Sequence, residues 1–214
     1  MSIIQGKKFI LLKRTSLDFV NKILKKNQNW KILDIGCGYR ANNHATVVAD
    51  IKDFSDLYPK KKFVKITDKK LPFKDKEFDF VIASHVIEHV EDFEFFVKEL
   101  ERISSKGYVE LPSRLGDNLV FENKTDHIWW CLYDDIEKKI IVAKRNQIID
   151  PFINVSTAKI LEQSFRESFV IELMWEDKID YKIDDNIRQS NFKKITFFQL
   201  IKKYMSKKIR SFYK

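Results

Sequence analysis

The run Lys31–Ile35 (KILDI) ends directly on Gly36-Cys37-Gly38, and this junction constrains the fold more than any other stretch of the chain. A short aliphatic run bounded by turn residues reads as a buried strand. Two glycines one residue apart, in a chain with only five, mark a turn that needs positive φ or a close backbone approach. Three more apolar runs follow: 46–51 (TVVADI), 62–67 (KFVKIT) and 78–84 (FDFVIAS). Beyond them, Lys106-Gly107 turns the chain into YVELP, a fifth strand closed by Pro112. Between the last two strands, 91–104 places apolar residues at 93, 96, 97, 100 and 103, a helical stripe with an acidic start. Short apolar strands joined by longer connections argue for a parallel sheet covered by helices on both faces.

Such sheets bind ligands beyond the carboxyl ends of their strands, where the strand order reverses. Gly36 and Gly38 occupy that place, and Asp50 ends the next strand, where a carboxylate can hold a ribose diol. The third glycine of a dinucleotide fingerprint is missing, because Arg40 stands there, and Asp50 follows Gly38 by only 12 residues. A pyrophosphate on a helix N-terminus is therefore disfavoured, and a ribose ligand without phosphates fits better.

WKILDIGCGYR, VVADI, ITDKKLPFKDKEFDFVIASHVIEHV and GYVELP, in this order over roughly residues 30–112, resemble the class I S-adenosylmethionine-dependent methyltransferases. The LPF…FD and IEHV pieces are similar to the small-molecule and glycan group of that family. The resemblance implies S-adenosyl-L-methionine as cofactor. Asp34, Gly36 and Gly38 would line its methionine end, Asp50 its ribose, and Asp68 with Lys69 its adenine; Ser84 and His85 would face the methyl group. Residues 40–45 are too few for the helix that the family usually has between the glycine turn and the ribose acid. Either this crossover is a loop, with Arg40 pairing with the cofactor carboxylate, or cofactor binding is lost and the chain is a scaffold. The retained Gly36, Gly38 and Asp50 favour the loop.

Two of the four histidines lie in His85-Val86-Ile87-Glu88-His89. Read alone this is the inverted zinc-protease motif H-x-x-E-H, but that chemistry needs both histidines on one helical face, and here the motif starts at a strand end. In small-RNA 3′-end 2′-O-methyltransferases a related E-x-x-E-H segment, with a later histidine, holds a divalent cation. Glu88, His89 and His127 would be the corresponding ligands here, with His85 where the first glutamate stands. The bland alternative, with Glu88 and His89 bonded to nearby backbone, is the expected one. Without metal, His85 and His127 are the candidate general bases, since O-methylation benefits from a base of near-neutral pKa. Trp129, Trp130 and Trp175 could form a stacking face for a sugar or base.

After Pro112 the pattern changes. Residues 127–143 read as two strands around a polar turn, 157–166 as a helix capped by Ser156 or Thr157, and 169–183 as an alternating strand. The two cysteines, Cys37 and Cys131, form no disulfide framework and no metal-ligand pair. No run approaches the ~18 apolar residues of a spanning helix, and the N-terminus makes a poor signal peptide.

The formal net charge of +9 is segregated. Residues 187–214 hold nine basic residues and no acid, residues 1–31 are net +7, and the middle of the chain is net −7. In 197–214, Phe198, Ile201, Met205, Ile209 and Phe212 share one helical face, with Lys203, Lys207, Arg210 and Lys214 on another. Such a helix suits packing on its own domain or a partner, an anionic membrane surface, or, less well, nucleic acid.

The expectation is an α/β Rossmann-like methyltransferase domain over 1–186, with a shortened first crossover and a strand-rich insertion. A basic amphipathic tail over 187–214 follows. The expected activity is methylation of oxygen on a small molecule or glycan precursor in the cytoplasm, with the tail packing on its own domain or a partner or else reaching the inner membrane surface. A metal-assisted RNA 2′-O-methyltransferase is the alternative.

Overall fold

The computed structural model describes residues 11–184, 186 and 196–212. The apolar stretch before residue 11, the basic residues Arg188, Lys193, Lys194 and Lys214, and the start of the expected tail at 187 lie outside the described residues.

Five parallel strands form where the aliphatic runs fall: β2 (Ile32–Ile35), β3 (Val47–Asp50), β4 (Lys62–Lys65), β5 (Phe80–Ser84) and β6 (Lys106–Pro112). Antiparallel β9 (Val170–Glu176) joins β6, and β1 (Leu11–Arg14) pairs with β9 at the edge. The resulting seven-stranded order is β1-β9-β6-β5-β2-β3-β4. From β2 the chain builds outward to β3 and β4, then returns to place β5 and β6 on the other side. The carboxyl ends of β2 and β5 are therefore the topological switch point.

Helix α1 (Leu17–Lys26) is capped by Ser16, whose side chain accepts from the Phe19 amide, and buries Val20 and Leu24. On the other face α2 (Phe93–Ile103) is capped by Asp92 and buries Phe93, Phe96, Val97, Leu100 and Ile103, the residues of the sequence stripe. These two burials make the sheet a filled sandwich and leave its strand ends to form the site.

Helices α3 (Arg114–Leu119) and α4 (Asn123–Asp126) lead into a second sheet of β7 (Trp129–Asp134), β8 (Lys139–Lys144) and β10 (Tyr181–Ile183), in the order β10-β8-β7. Helix α5 (Val155–Phe169) starts earlier than expected because Asn154, not Ser156 or Thr157, caps it. The alternating stretch 169–183 is two strands in two sheets, since the turn after Glu176 redirects the chain from β6 to β8. Helix α6 (Phe197–Phe212) follows.

Trp129, Trp130 and Trp175 are all buried, which corrects the expectation of a tryptophan stacking face. Their rings fill the core, and their indole surfaces are unavailable to a ligand. Among the described residues no helix is long and apolar enough to cross a membrane.

Candidate active site

At the end of β2 the chain turns through Gly36 at φ +69°, where its amide donates to the Ala49 carbonyl at 2.7 Å. A Cβ at this position would lie 2.3 Å from Val86 Cγ2, so the glycine lets the turns after β2 and β5 approach. Gly38 follows at φ +48° with open space where a Cβ would stand. Its amide donates to Asp50 Oδ2 at 3.0 Å, and the Lys52 amide donates to Oδ1 at 3.0 Å. Asp50 is thus fixed by backbone while it lines the cavity above the sheet. A carboxylate offers about four acceptor sites, and two bonds leave the others for a diol.

The first crossover, 36–46, contains no helix. It is a loop tied down from three sides. Asp34, buried beneath it, accepts the Asn42 amide at 2.6 Å, and its burial pushes the carboxyl up to about 6. Tyr58 donates its hydroxyl to the Gly38 carbonyl at 2.8 Å and accepts from the Ala41 amide at 2.9 Å. Lys61 Nζ donates to the carbonyls of Asn42, Asn43 and Ala45, at 3.1, 3.1 and 2.6 Å. These side chains satisfy backbone groups that a helix would otherwise have paired internally.

A cavity of about 560 Å³ opens over the switch point, within the ~300–1,000 Å³ usual for small-molecule sites. Gly36, Asp50, Asp68, Lys69 and His85 line it, and so do His89 and Asp126 on the far side. The other expected site residues lie outside the lining. Asp34 supports the loop from below, Gly38 positions Asp50, Arg40 is exposed on the loop, and Ser84 is half-buried at the end of β5. His127 stands behind His89, their rings edge to face at 4.5 Å.

His85, directly after β5, has φ +54°, a conformation rare for residues other than glycine and often found at functional sites. Both ring nitrogens meet carboxylates: Nδ1 lies 3.2 Å from Glu88 Oε1 and Nε2 lies 3.1 Å from Glu110 Oε1. Burial opposes the imidazolium, but the bonds to Glu110 and Glu88 outweigh it and lift its pKa to about 10. A ring held protonated by two acceptors is a fixed cation at neutral pH, so the general-base role expected of His85 does not suit this geometry. Glu110 also accepts from Tyr108 Oη at 2.6 Å and from Arg166 at 3.0 Å. Its carboxyl falls to about 2: burial opposes ionisation, and His85, Tyr108 and Arg166 overcome it.

His127 donates through Nδ1 to Asp117, a fully buried carboxylate that also accepts from Trp130 Nε1 at 2.6 Å and Arg145 Nε at 2.7 Å. The second sheet delivers this histidine: the Ile128 amide donates to the Glu88 carbonyl at 2.8 Å, and Trp129 Nε1 to the Val90 carbonyl at 2.7 Å.

Glu110, Arg166, Asp117, Tyr58 and Lys61 escaped sequence reasoning. Only Glu110 left a signal, as a lone acid in the middle of an otherwise apolar strand. The rest act through contacts 10 or more residues apart in sequence, which no local pattern encodes.

Residues 33–109 match the family model described as a methyltransferase domain. Over this segment the chain is similar to the methyltransferase-domain family. The matched stretch runs from β2 into β6 and contains Gly36, Asp50 and His85. An uncharacterized protein of Methanocaldococcus jannaschii is 33% identical over 120 residues, covering 48% of this chain and 50% of the relative. The chain spans about half the length of the curated relative it matches. Among solved structures, the YcgJ protein of Bacillus subtilis aligns over 74% of this chain and 97% of its own, at 12% identity and a TM-score of 0.46. An S-adenosylmethionine dependent methyltransferase from Mesorhizobium loti aligns over 69% and 90%, at 11% identity and a TM-score of 0.40.

Proposed function

We propose that the chain is an S-adenosylmethionine-dependent methyltransferase that methylates oxygen on a small molecule or a glycan precursor. The observation that carries this reading is the convergence of the Gly36 turn, a backbone-fixed Asp50 and the His85 turn on one cavity at the switch point. The donor set fits the cofactor. Asp50 keeps acceptor capacity for two ribose hydroxyls, Asp68 and Lys69 line the same cavity for the adenine, and Gly36 lines it at the methionine end. When bound, the cofactor supplies an electrophilic sulfonium methyl. The chain's own part is to hold the ribose, to keep the loop 36–46 closed through Asp34, Tyr58 and Lys61, and to keep His85 as a fixed cation on the cavity wall.

Calorimetric titration of the full chain with S-adenosylmethionine tests the reading. Saturable heat and a raised melting temperature are expected, since a ligand at ~100 times its Kd adds about 2.7 kcal/mol. No heat together with an unchanged melting temperature would overturn it. A labelled-methyl screen against lipid, glycan, RNA and small-molecule fractions then assigns the acceptor.

For α6 we propose a seat on an anionic lipid surface. Phe198, Ile201, Tyr204, Met205 and Ile209 are 42–82% exposed, and the helix carries Lys202, Lys203, Lys207, Lys208 and Arg210 with no acid. That charge complements anionic headgroups while the apolar side chains enter the interface. Flotation with anionic vesicles but not with zwitterionic ones is expected; equal behaviour on both, or preferential retention by RNA, would overturn it.

A further inference from the structure

We propose that Glu88, His89 and His127 form a divalent-cation site of the nitrogen-rich, transition-metal kind at the far wall of the cavity. One ligand atom from each lies within 4.8 Å of the others. The binding itself is argued from these side chains alone; the use made of it rests on the methyl-transfer reading.

Two independent features point to an ion. The first is Glu88. Its side chain is fully buried, Oε1 meets His85 Nδ1, and Oε2 has no hydrogen-bond partner. A buried carboxylate oxygen without a donor is costly, and a cation satisfies it directly. The second is the tautomer of both histidines. His89 Nδ1 lies 2.9 Å from the Asp126 carbonyl, which can only accept, so Nδ1 carries the proton. His127 Nδ1 faces Asp117 in the same sense. In each neutral ring Nε2 is then the bare nitrogen. Orienting a metal-ligating histidine through its other nitrogen, by a carbonyl or a carboxylate, is how metal sites fix their ligands. Asp117 is held in turn by Trp130 and Arg145, so His127 is supported by a shell of its own.

The donor set also states which ion. His85 cannot join it, because Glu88 and Glu110 occupy both its nitrogens. Two imidazoles and one carboxylate remain. Imidazole-rich sets suit Zn²⁺, Fe²⁺ or Co²⁺, whereas Mg²⁺ takes oxygen and water. His89 is exposed and lines the cavity beside Asp126, so the open coordination position faces the acceptor's space. There an acceptor hydroxyl would lose its proton to water. Its oxygen would bond to the methyl carbon as the carbon–sulfur bond breaks, leaving the thioether product.

The test uses full-length chain, stripped with a chelator and titrated with ZnCl₂ and MgCl₂ by calorimetry. One equivalent of Zn²⁺ is expected, at least 100-fold tighter than Mg²⁺, and Co²⁺ should give the visible bands of a low-coordinate histidine site. His127→Gln and Glu88→Gln should each lower Zn²⁺ affinity at least 100-fold, and Asp117→Asn by about 10–100-fold. Cofactor binding by the His127→Gln chain serves as the folding check. No stoichiometric Zn²⁺, equal affinity for Mg²⁺, or undiminished Zn²⁺ binding by folded variants would overturn the site. Cofactor binding without Zn²⁺ binding defeats the site alone; Zn²⁺ binding without cofactor binding defeats the methyltransferase reading alone.

Discussion

A methyl group added at Gly36 would press on Val86 at 2.3 Å, whereas one added at Gly38 would meet nothing within 4 Å. Both backbones sit at positive φ, so both alanine variants carry the left-handed penalty, but only Gly36→Ala adds overpacking. Gly36→Ala should lower unfolding stability by about 3 kcal/mol and Gly38→Ala by about 1 kcal/mol, read from urea midpoints. Equal losses would contradict the close approach. Asp34 gives a pH signature. Its carboxyl titrates near 6 in the folded chain against 3.8 unfolded, so the folded state holds more protons between these values and stability falls as pH rises through them. Asp34→Asn keeps an acceptor for the Asn42 amide and removes this dependence. The wild type should therefore lose stability relative to the variant from about pH 4 to about pH 6, with no further divergence above. At this scale the sequence was legible where a residue type is rare and its use restricted: the glycines, and the acid after a strand. Asp117 gave no sign, because a buried acid with three donors looks like any acid in a loop until its partners arrive.

The loop 36–46 shows what an element can do without regular structure. Lys61 donates to three of its carbonyls, Tyr58 bridges it, and Asp34 receives one of its amides. Lys61→Met should therefore raise amide exchange across 39–46 and cost about 1 kcal/mol in urea unfolding, since it strands the half-buried carbonyls of Asn42 and Ala45. Unchanged exchange there would show that the loop is held by other means. The five parallel strands and α2 were legible as runs and stripes, because burial on both faces or on one face imposes those patterns. Helices α3 and α4 were not: each is shorter than two turns, so no stripe can develop, and the Ser113 cap accepting from Gly116 decides the first of them.

For the whole molecule, the net negative middle carries the cavity and the positive excess lies at the ends, so the charge speaks to where the chain sits more than to the chemistry of the cavity. In helix α6, Phe198, Ile201, Tyr204, Met205 and Ile209 stand in solvent. Ile201→Ser and Met205→Ser should each leave the melting temperature of the free chain unchanged, within the ±0.5 kcal/mol of surface substitutions. A loss above about 2 kcal/mol would mean that this face is a packed one. By itself the sequence determined the α/β class, the glycine turn, the acid that ends β3 and the segregation of charge. Each of these is written in neighbouring residues and in composition, through the spacing of apolar side chains and the special needs of glycine. Only the tertiary structure decided the strand order, with β1 at the edge beyond β9, and with it the switch point. It alone brought β7 against the turn after β5, so that His127 reached Glu88 and His89, and β6 against α5, so that Glu110 reached Arg166 and His85. These pairings join residues dozens of positions apart, and their partners are chosen by which buried surfaces fit, a property no local pattern carries.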